Sequence, residues 1–238
     1  MTSESINHLV LLAGGKATRL RPVTETIPKS LLEVAGKPFI AHQLELIRLN
    51  GIDNVLICAS YLGEQIRNFA GNGSSFGLSI EYSFDGDELL GTGGAINKAM
   101  NKLDKQFFVM YGDSYLNTDF KVINEYFFAQ NKPALMTVYL NEGKYDNSNV
   151  LFDNGKIIKY DKVNRIPDMK HIDYGLGILT KKAFGDFMNK KVFDLSEVYK
   201  NLVEKDLLAG YEVKERFYEI GSFTGLEETN KFLSKKNN

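Results

Sequence analysis

The sequence predicts an α/β protein built on a mainly parallel mixed sheet covered by helices on both faces. Three observations predict it. Short apolar runs stop at or near glycines, segments of helical spacing lie between those runs, and beyond about residue 132 the pattern turns strand-rich.

The run His8-Leu9-Val10-Leu11-Leu12-Ala13 halts at Gly14-Gly15 and suits a strand buried on both faces. From Ile40 to Asn50 the apolar residues Ile40, Leu44 and Ile47 recur at helical spacing, and Gly51 closes the segment. Asn54 to Ala59 reads as a second buried strand, Leu62 to Phe69 as a helix, and Leu78 to Ser83 as an alternating strand. Gly94 to Leu103 then reads as a helix, and Gln106 to Tyr111 as a third buried strand ending at Gly112-Asp113. Strands that alternate with helices imply parallel pairing. Later, Ala134 to Tyr139, Asn149 to Phe152 and Ile157 to Tyr160 read as strands, the last two joined by a hairpin at Asn154-Gly155. A last helix is expected after Gly225, running into the polar tail Ser234 to Asn238.

Composition narrows the function. With 238 residues, 43% hydrophobic and 12% aromatic, the chain can fill a sizeable core, which excludes a stapled miniature scaffold and a disordered tail. Lys and Arg number 29 against 30 Asp and Glu, so no global basic field serves nucleic acid, and any anion site is local. The lone Cys58 sits in an apolar run and reads as buried filler; three scattered histidines leave no Cys/His zinc site. A metal would need carboxylates. No basic leader precedes a long apolar stretch and no run approaches a membrane span, so the chain reads as a soluble cytoplasmic protein. Without a linker or repeat, a single domain is the economical expectation.

The most informative stretch runs from Leu11 to Pro38. Gly14 and Gly15 at a strand's carboxyl end allow close approach of a ligand, and Lys16, Arg19, Arg21 and Lys29 add charge where a triphosphate would sit. An ordinary surface loop accounts for the glycine pair but not for the whole string. Gly15-Lys16-Ala17-Thr18 fails as a P-loop because position 10 is Val10, and no glycine follows Gly15 until Gly36, so the dinucleotide fingerprint is absent.

The string Leu12-Ala13-Gly14-Gly15-Lys16-Ala17-Thr18-Arg19-Leu20-Arg21-Pro22, with Pro28-Lys29-Ser30-Leu31 through Lys37-Pro38, resembles the opening signature of the sugar-1-phosphate nucleotidyltransferases. It departs at Ala17, where that family usually has Gly. The resemblance continues in Gly91-Thr92-Gly93-Gly94, Gly112-Asp113, Tyr160-Asp161-Lys162 and Glu219-Ile220-Gly221. It implies a Rossmann-like sheet with a small strand-rich sugar-binding lobe. The parts would be about 1–131 for the nucleotide, about 132–225 for the sugar phosphate, and a C-terminal helix and tail over 226–238. The implied reaction joins an NTP to a sugar 1-phosphate with release of pyrophosphate, supplying cell-surface glycan synthesis.

By that resemblance Arg19 grips the triphosphate and Lys29 the phosphate region as catalytic residues. Leu12, Ala13, Gly14, Gly15, Lys16, Thr18, Glu88, Gly91, Thr92 and Gly93 contact the nucleotide. Asp87 and Leu90 join Glu88 and Gly91 in choosing the base. Lys162 holds the acceptor phosphate, beside Asn149, Asp161, Asp173, Tyr174 and Gly175, with Tyr145, Asp146 and Asn147 as further polar groups for the sugar. Asp113 is the best magnesium ligand, and Glu219 stands where the family has Asp. Asp173-Tyr174 departs from the family's Asn-Gly or Thr-Gly. The Leu90 to Ile96 string is similar to heptose-1-phosphate guanylyltransferases, whereas Tyr61 to Ile80 is similar to N-acetylmuramate-1-phosphate uridylyltransferases; guanine is modestly favoured, with a heptose or mannose acceptor. The type is the short one, a homo-oligomer is compatible with it, and three alternatives stay open: a UTP-dependent enzyme on an amino sugar 1-phosphate, a cytidylyltransferase on a non-sugar phosphate, and a non-catalytic nucleotide-sugar sensor.

Overall fold

The computed structural model describes residues 5–15 and 17–236, so the first residues of the N-terminal segment, Lys16 and the last two asparagines lie outside the described residues. The first part of the chain builds β1 (His8–Leu12), the short ribbon β2 (Glu33–Val34) and β3 (Lys37–Pro38), and α1 (Phe39–Leu49). It continues through β4 (Asn54–Ala59), α2 (Gly63–Ala70), β5 (Ser79–Phe84), α3 (Gly91–Lys98), β6 (Gln106–Tyr111), β7 (Ser114–Leu116) and α4 (Phe120–Gln130). The second part adds β8 (Ala134–Leu140), β9 (Val150–Asp153), β10 (Lys156–Tyr160), β11 (His171–Thr180), α5 (Leu195–Glu204), β12 (Leu208–Val213), β13 (Phe217–Glu219) and α6 (Phe223–Lys236).

One sheet of nine strands runs through both parts in the order β5-β4-β1-β6-β11-β8-β12-β10-β9. The pairs β5–β4, β4–β1, β1–β6 and β8–β12 are parallel; β6–β11, β11–β8, β12–β10 and β10–β9 are antiparallel. The sheet is therefore mixed, with its parallel half in the first part of the chain, where helical crossovers join the strands. Side chains alternate across it as a strand buried on both faces requires. Leu9 and Leu11 join Ile40, Leu44, Ile66, Ile123 and Phe127 on one face. Val10 and Leu12 join Ala95, Ile96, Val198 and Leu202 on the other. A third cluster, Val34, Phe39, Tyr115, Ile220 and Leu233, seats α6 against the β7–β13 ribbon.

Several boundaries differ from the pattern reading for packing reasons. The helix expected from Gly94 starts at Gly91, taking in the glycines, because residues 191–194 cross it at backbone distance. A Cβ on Gly94 would stand 2.3 Å from the Lys191 carbonyl, and one on Gly93 2.3 Å from the Phe193 ring. The polar tail is helical as far as Lys236, and Phe232 stacks on Tyr218 with centroids 3.9 Å apart. Asp173 and Tyr174, placed from sequence beside the acceptor, belong to the interior of β11. Its register with β8 shifts between Asp173 and Gly177, and Gly175 takes φ +96. The hairpin at Asn154-Gly155 has both residues at positive φ, the geometry a tight two-residue connection needs.

Candidate active site

The site grows from the carboxyl ends of the parallel strands, where an open α/β sheet exposes unpaired backbone groups. Register places Leu12 of β1 beside Cys58 of β4 and Tyr111 of β6. Beyond them the chain turns sharply. Ala13 N–H donates to Cys58 O at 2.8 Å and Gly112 N–H to Leu12 O at 2.9 Å, and a Cβ on Gly112 would stand 2.7 Å from that same oxygen. Glycine is therefore required at 112, and it delivers Asp113 to the sheet edge. Buried Gln43 of α1 braces the turn by donating to Tyr111 O at 3.1 Å and Ser114 O at 2.8 Å.

Two cavities open on this edge and share Tyr111 and Asp113. The first, about 310 Å³, is lined by Leu12, Ala13, Gly14, Gly15, Gly91 and Thr92, with Lys29 and Asp113 at its border. The second, about 340 Å³, gathers Arg19, Asn149, Lys162, Asp173, Tyr174 and Gly175 with Asp113 and Glu219. Among the described candidates, Thr18, Arg21, Asp87, Glu88, Leu90, Gly93, Tyr145 and Asp161 line neither cavity. Glu88 faces solvent and pairs with Lys191 at 2.7 Å, while Gly93 is buried under Phe193. Asp161 accepts from its own turn, Val163 N–H and Asn164 N–H both at 2.8 Å, and pairs with Lys200 at 3.0 Å. The Asn164 amide first, with Val163 and Lys200, outweighs burial and pulls the Asp161 carboxyl down to about 2. Lys16 lies outside the described residues. Of the residues named for choosing the base, Leu90 donates its N–H to Asp85 Oδ2 at 3.2 Å.

Lys29 stands in a short 3-10 turn, Lys29–Leu31, and donates to Asp113 Oδ2 at 2.6 Å. Burial opposes ionisation of Asp113, but the Lys29 charge and hydrogen bonds from Lys29 and Ser114 outweigh it, so the carboxyl is held below its usual range. The β7–β13 ribbon sets Glu219 opposite Ser114, next to Asp113, and Ile220 N–H donates to Asp113 O at 2.9 Å. Glu219 is turned toward the start of α6, accepting from Gly221 N–H and from Ser222 Oγ at 3.1 Å. Burial, helped by the charge of Asp113, raises its carboxyl against the pull of those donors and of Arg19. Two residues before Arg19, Ala17 takes φ 48 in the left-handed region. A glycine meets that backbone without strain, which accounts for the glycine the resemblance leads one to expect there.

Several lining residues carry no motif. These are Cys58, Asp85, Leu89, Tyr111 and Asp194 in the first cavity, and Ser114, Arg165, Ile172 and Phe217 in the second. Two had a readable signal. Asp85 directly follows β5 at the ligand edge of the sheet, and Asp194 opens a capping box with Glu197.

A family model described as nucleotidyl transferase matches residues 8–151. The chain belongs to the nucleotidyl transferase family. Over 213 residues this nucleotidyltransferase is 28% identical to the D-glycero-alpha-D-manno-heptose 1-phosphate guanylyltransferase of Campylobacter jejuni, covering 89% of this chain and 93% of that protein. Over 217 residues it is 28% identical to the UTP–glucose-1-phosphate uridylyltransferase of Synechocystis sp., covering 83% of this chain but only 55% of the length of that protein. Its fold matches that of a Bacillus anthracis protein solved in complex with sucrose, with a TM-score of 0.86 over 95% of each chain at 21% identity. That last likeness concerns the fold alone. No helix among the described residues is long and apolar enough to cross a membrane.

Proposed function

We propose that this nucleotidyltransferase moves a nucleotidyl group from a nucleoside triphosphate to a sugar 1-phosphate and releases pyrophosphate. The observation that carries the reading is the meeting of two cavities at Asp113, one floored by a glycine-rich strand end and one lined by cations and hydroxyl-binding side chains. The attacking phosphate oxygen is already anionic near neutral pH, so the reaction asks for alignment and charge neutralisation and not for a general base. Arg19 and Lys29 neutralise the triphosphate, Lys162 anchors the acceptor phosphate, and Asp146, Asn147 and Asn149 are suited to sugar hydroxyls.

Asp113 and Glu219 form a hard-oxygen pair that fits a magnesium ion. The charge of Asp113 helps raise the Glu219 carboxyl, a repulsion that a cation held by the two would relieve. Among the described residues no group of three or more His, Cys, Asp or Glu converges, and magnesium commonly takes one or two carboxylates and completes its shell from phosphates and water. Bound there, the ion would offset charge on the reacting phosphates.

Within this class we propose GTP as donor and a heptose or mannose 1-phosphate as acceptor, in the cytoplasm. Asp85 lines the first cavity, with Oδ2 accepting Leu90 N–H at 3.2 Å. Two carboxylate oxygens complement the adjacent N1–H and amino group of guanine, whereas the uracil edge sets one N–H between two carbonyl oxygens that a carboxylate repels. The test crosses four NTPs and ITP with heptose, mannose, muramic-acid-type and glucose 1-phosphates and phosphocholine while pyrophosphate is followed. The expected result is release with GTP and a sugar 1-phosphate, loss of it in Asp113→Ala, and about ten-fold preference for GTP over ITP that disappears in Asp85→Asn. Release with UTP and the muramic-acid-type 1-phosphate, release with phosphocholine alone, or binding without turnover under every pairing overturns the reading and favours, respectively, the three alternatives open from sequence.

A further inference from the structure

Lys162 carries its charge at the end of a long stem in the exposed segment after β10, and few groups fix where that charge points. Its Nζ donates to the Tyr111 hydroxyl at 3.3 Å, lies 5.1 Å from the centroid of that ring, and stands 4.0 Å from Asp194 Oδ1. Of these partners only Asp194 is an ion. Asp161, one residue away in sequence, is already held by Lys200 and by its own turn. The buried Asp173 is the other carboxylate whose field Lys162 feels.

Asp194 is fixed from the nucleotide side. Its Oδ1 accepts Ser196 N–H at 2.9 Å and its Oδ2 accepts the Thr92 hydroxyl at 2.9 Å, while Thr92 Oγ1 accepts Leu195 N–H at 2.8 Å. Phe193 O accepts Gly93 N–H at 3.0 Å and Gly94 N–H at 3.1 Å, which ties the Gly91–Gly94 turn to the start of α5. Asp194 lines the first cavity and Lys162 the second.

We propose that Asp194 is a positioning residue: it holds Lys162 over Tyr111, aimed at the acceptor phosphate, and thereby links the nucleotide turn at Thr92 to the acceptor site. The inference rests on the reading of Lys162 as the acceptor anchor. A free lysine stem samples many rotamers, and ordering it before the acceptor arrives removes part of that entropic cost from binding. A helix cap alone does not require the charge, because Asn caps a helix about as well as Asp.

The test uses that equivalence. In Asp194→Asn the new side chain keeps an oxygen for Ser196 N–H and donates an amide N–H to Thr92 Oγ1, which then accepts from it as well as from Leu195 N–H and gives up its own donation, so the cap and the Thr92 contact survive while the ion pair is lost. The melting temperature and the calorimetric Kd for GTP are expected to hold, while KM for mannose 1-phosphate rises about five-fold with kcat changed less than about two-fold, the scale of a partly exposed ion pair. On a Lys162→Ala background the same substitution is expected to add nothing. An unchanged acceptor KM in Asp194→Asn, with a raised one in Lys162→Ala, overturns the inference and leaves the reading of Lys162 standing. Additive effects, or parallel losses in melting temperature and GTP binding, reduce Asp194 to a helix cap. If Lys162→Ala itself leaves the acceptor KM unchanged, the reading of Lys162 falls and takes the inference with it.

Discussion

Replacing Lys29 by methionine tests the electrostatics at the junction of the two cavities. The stem is kept in volume while the charge that pairs with Asp113 at 2.6 Å is removed, from side chains only 17% and 30% exposed. At an effective dielectric near 20 the gross attraction is about 6 kcal/mol, most of it offset by the cost of taking both ions out of water. What remains on removing one partner is an uncompensated carboxylate, and because the pair is partly accessible the expected loss is about 2–3 kcal/mol, below that of a fully buried pair. For a chain of this size that corresponds to a fall of about 5–10 °C in melting temperature at pH 7.

The pH dependence supplies the sharper test. In the native protein the Asp113 carboxyl lies below its ordinary value, so its contribution is present above the unfolded pKa, about 3.9, and is lost as pH falls through the folded one. Without Lys29, burial dominates and the folded pKa moves above the unfolded value. The contribution is then fully present below the unfolded pKa and lost as pH rises through the raised one. Melting followed by circular dichroism from pH 7 to pH 3.5 is thus expected to show a gap between the two proteins that narrows steadily on acidification, and Lys29→Met with Asp113→Asn is expected to recover about half the loss at pH 7. A gap that stays constant across that range, or no loss at pH 7, refutes the reasoning.

Gly94→Ala is expected to destabilise the protein by about 2–3 kcal/mol and to weaken nucleotide binding, because the added methyl would stand 2.3 Å from the rigid Lys191 carbonyl; chemical denaturation and calorimetry measure the two losses. Cys58 is expected to stay unmodified by a disulfide reagent at pH 8 until the protein unfolds, since burial pushes its thiol up to about 12, and a thiol count before and after denaturant checks this.

The amino-acid sequence by itself determined the parallel half of the sheet. The runs at His8–Leu12, Asn54–Ala59 and Gln106–Tyr111 are apolar at successive positions because strands covered on both faces leave no polar side, and that pattern is local. Gly14, Gly15, Gly112 and Asp113 were legible from their place just beyond those strands, although what forbids a side chain at Gly112 is the Leu12 carbonyl that the sheet brings beside it. The tertiary structure alone decided which side chains converge. The ribbon that brings Glu219 beside Asp113 consists of two three-residue strands, too short for any period, and exists only because its halves pair. Asp85 and Asp194 stand 109 residues apart in sequence yet line one cavity, and Glu88, three residues from Asp85, points instead to Lys191. A side chain's direction at a loop depends on neighbours that the fold supplies, whereas the burial of a strand is written in its own residues.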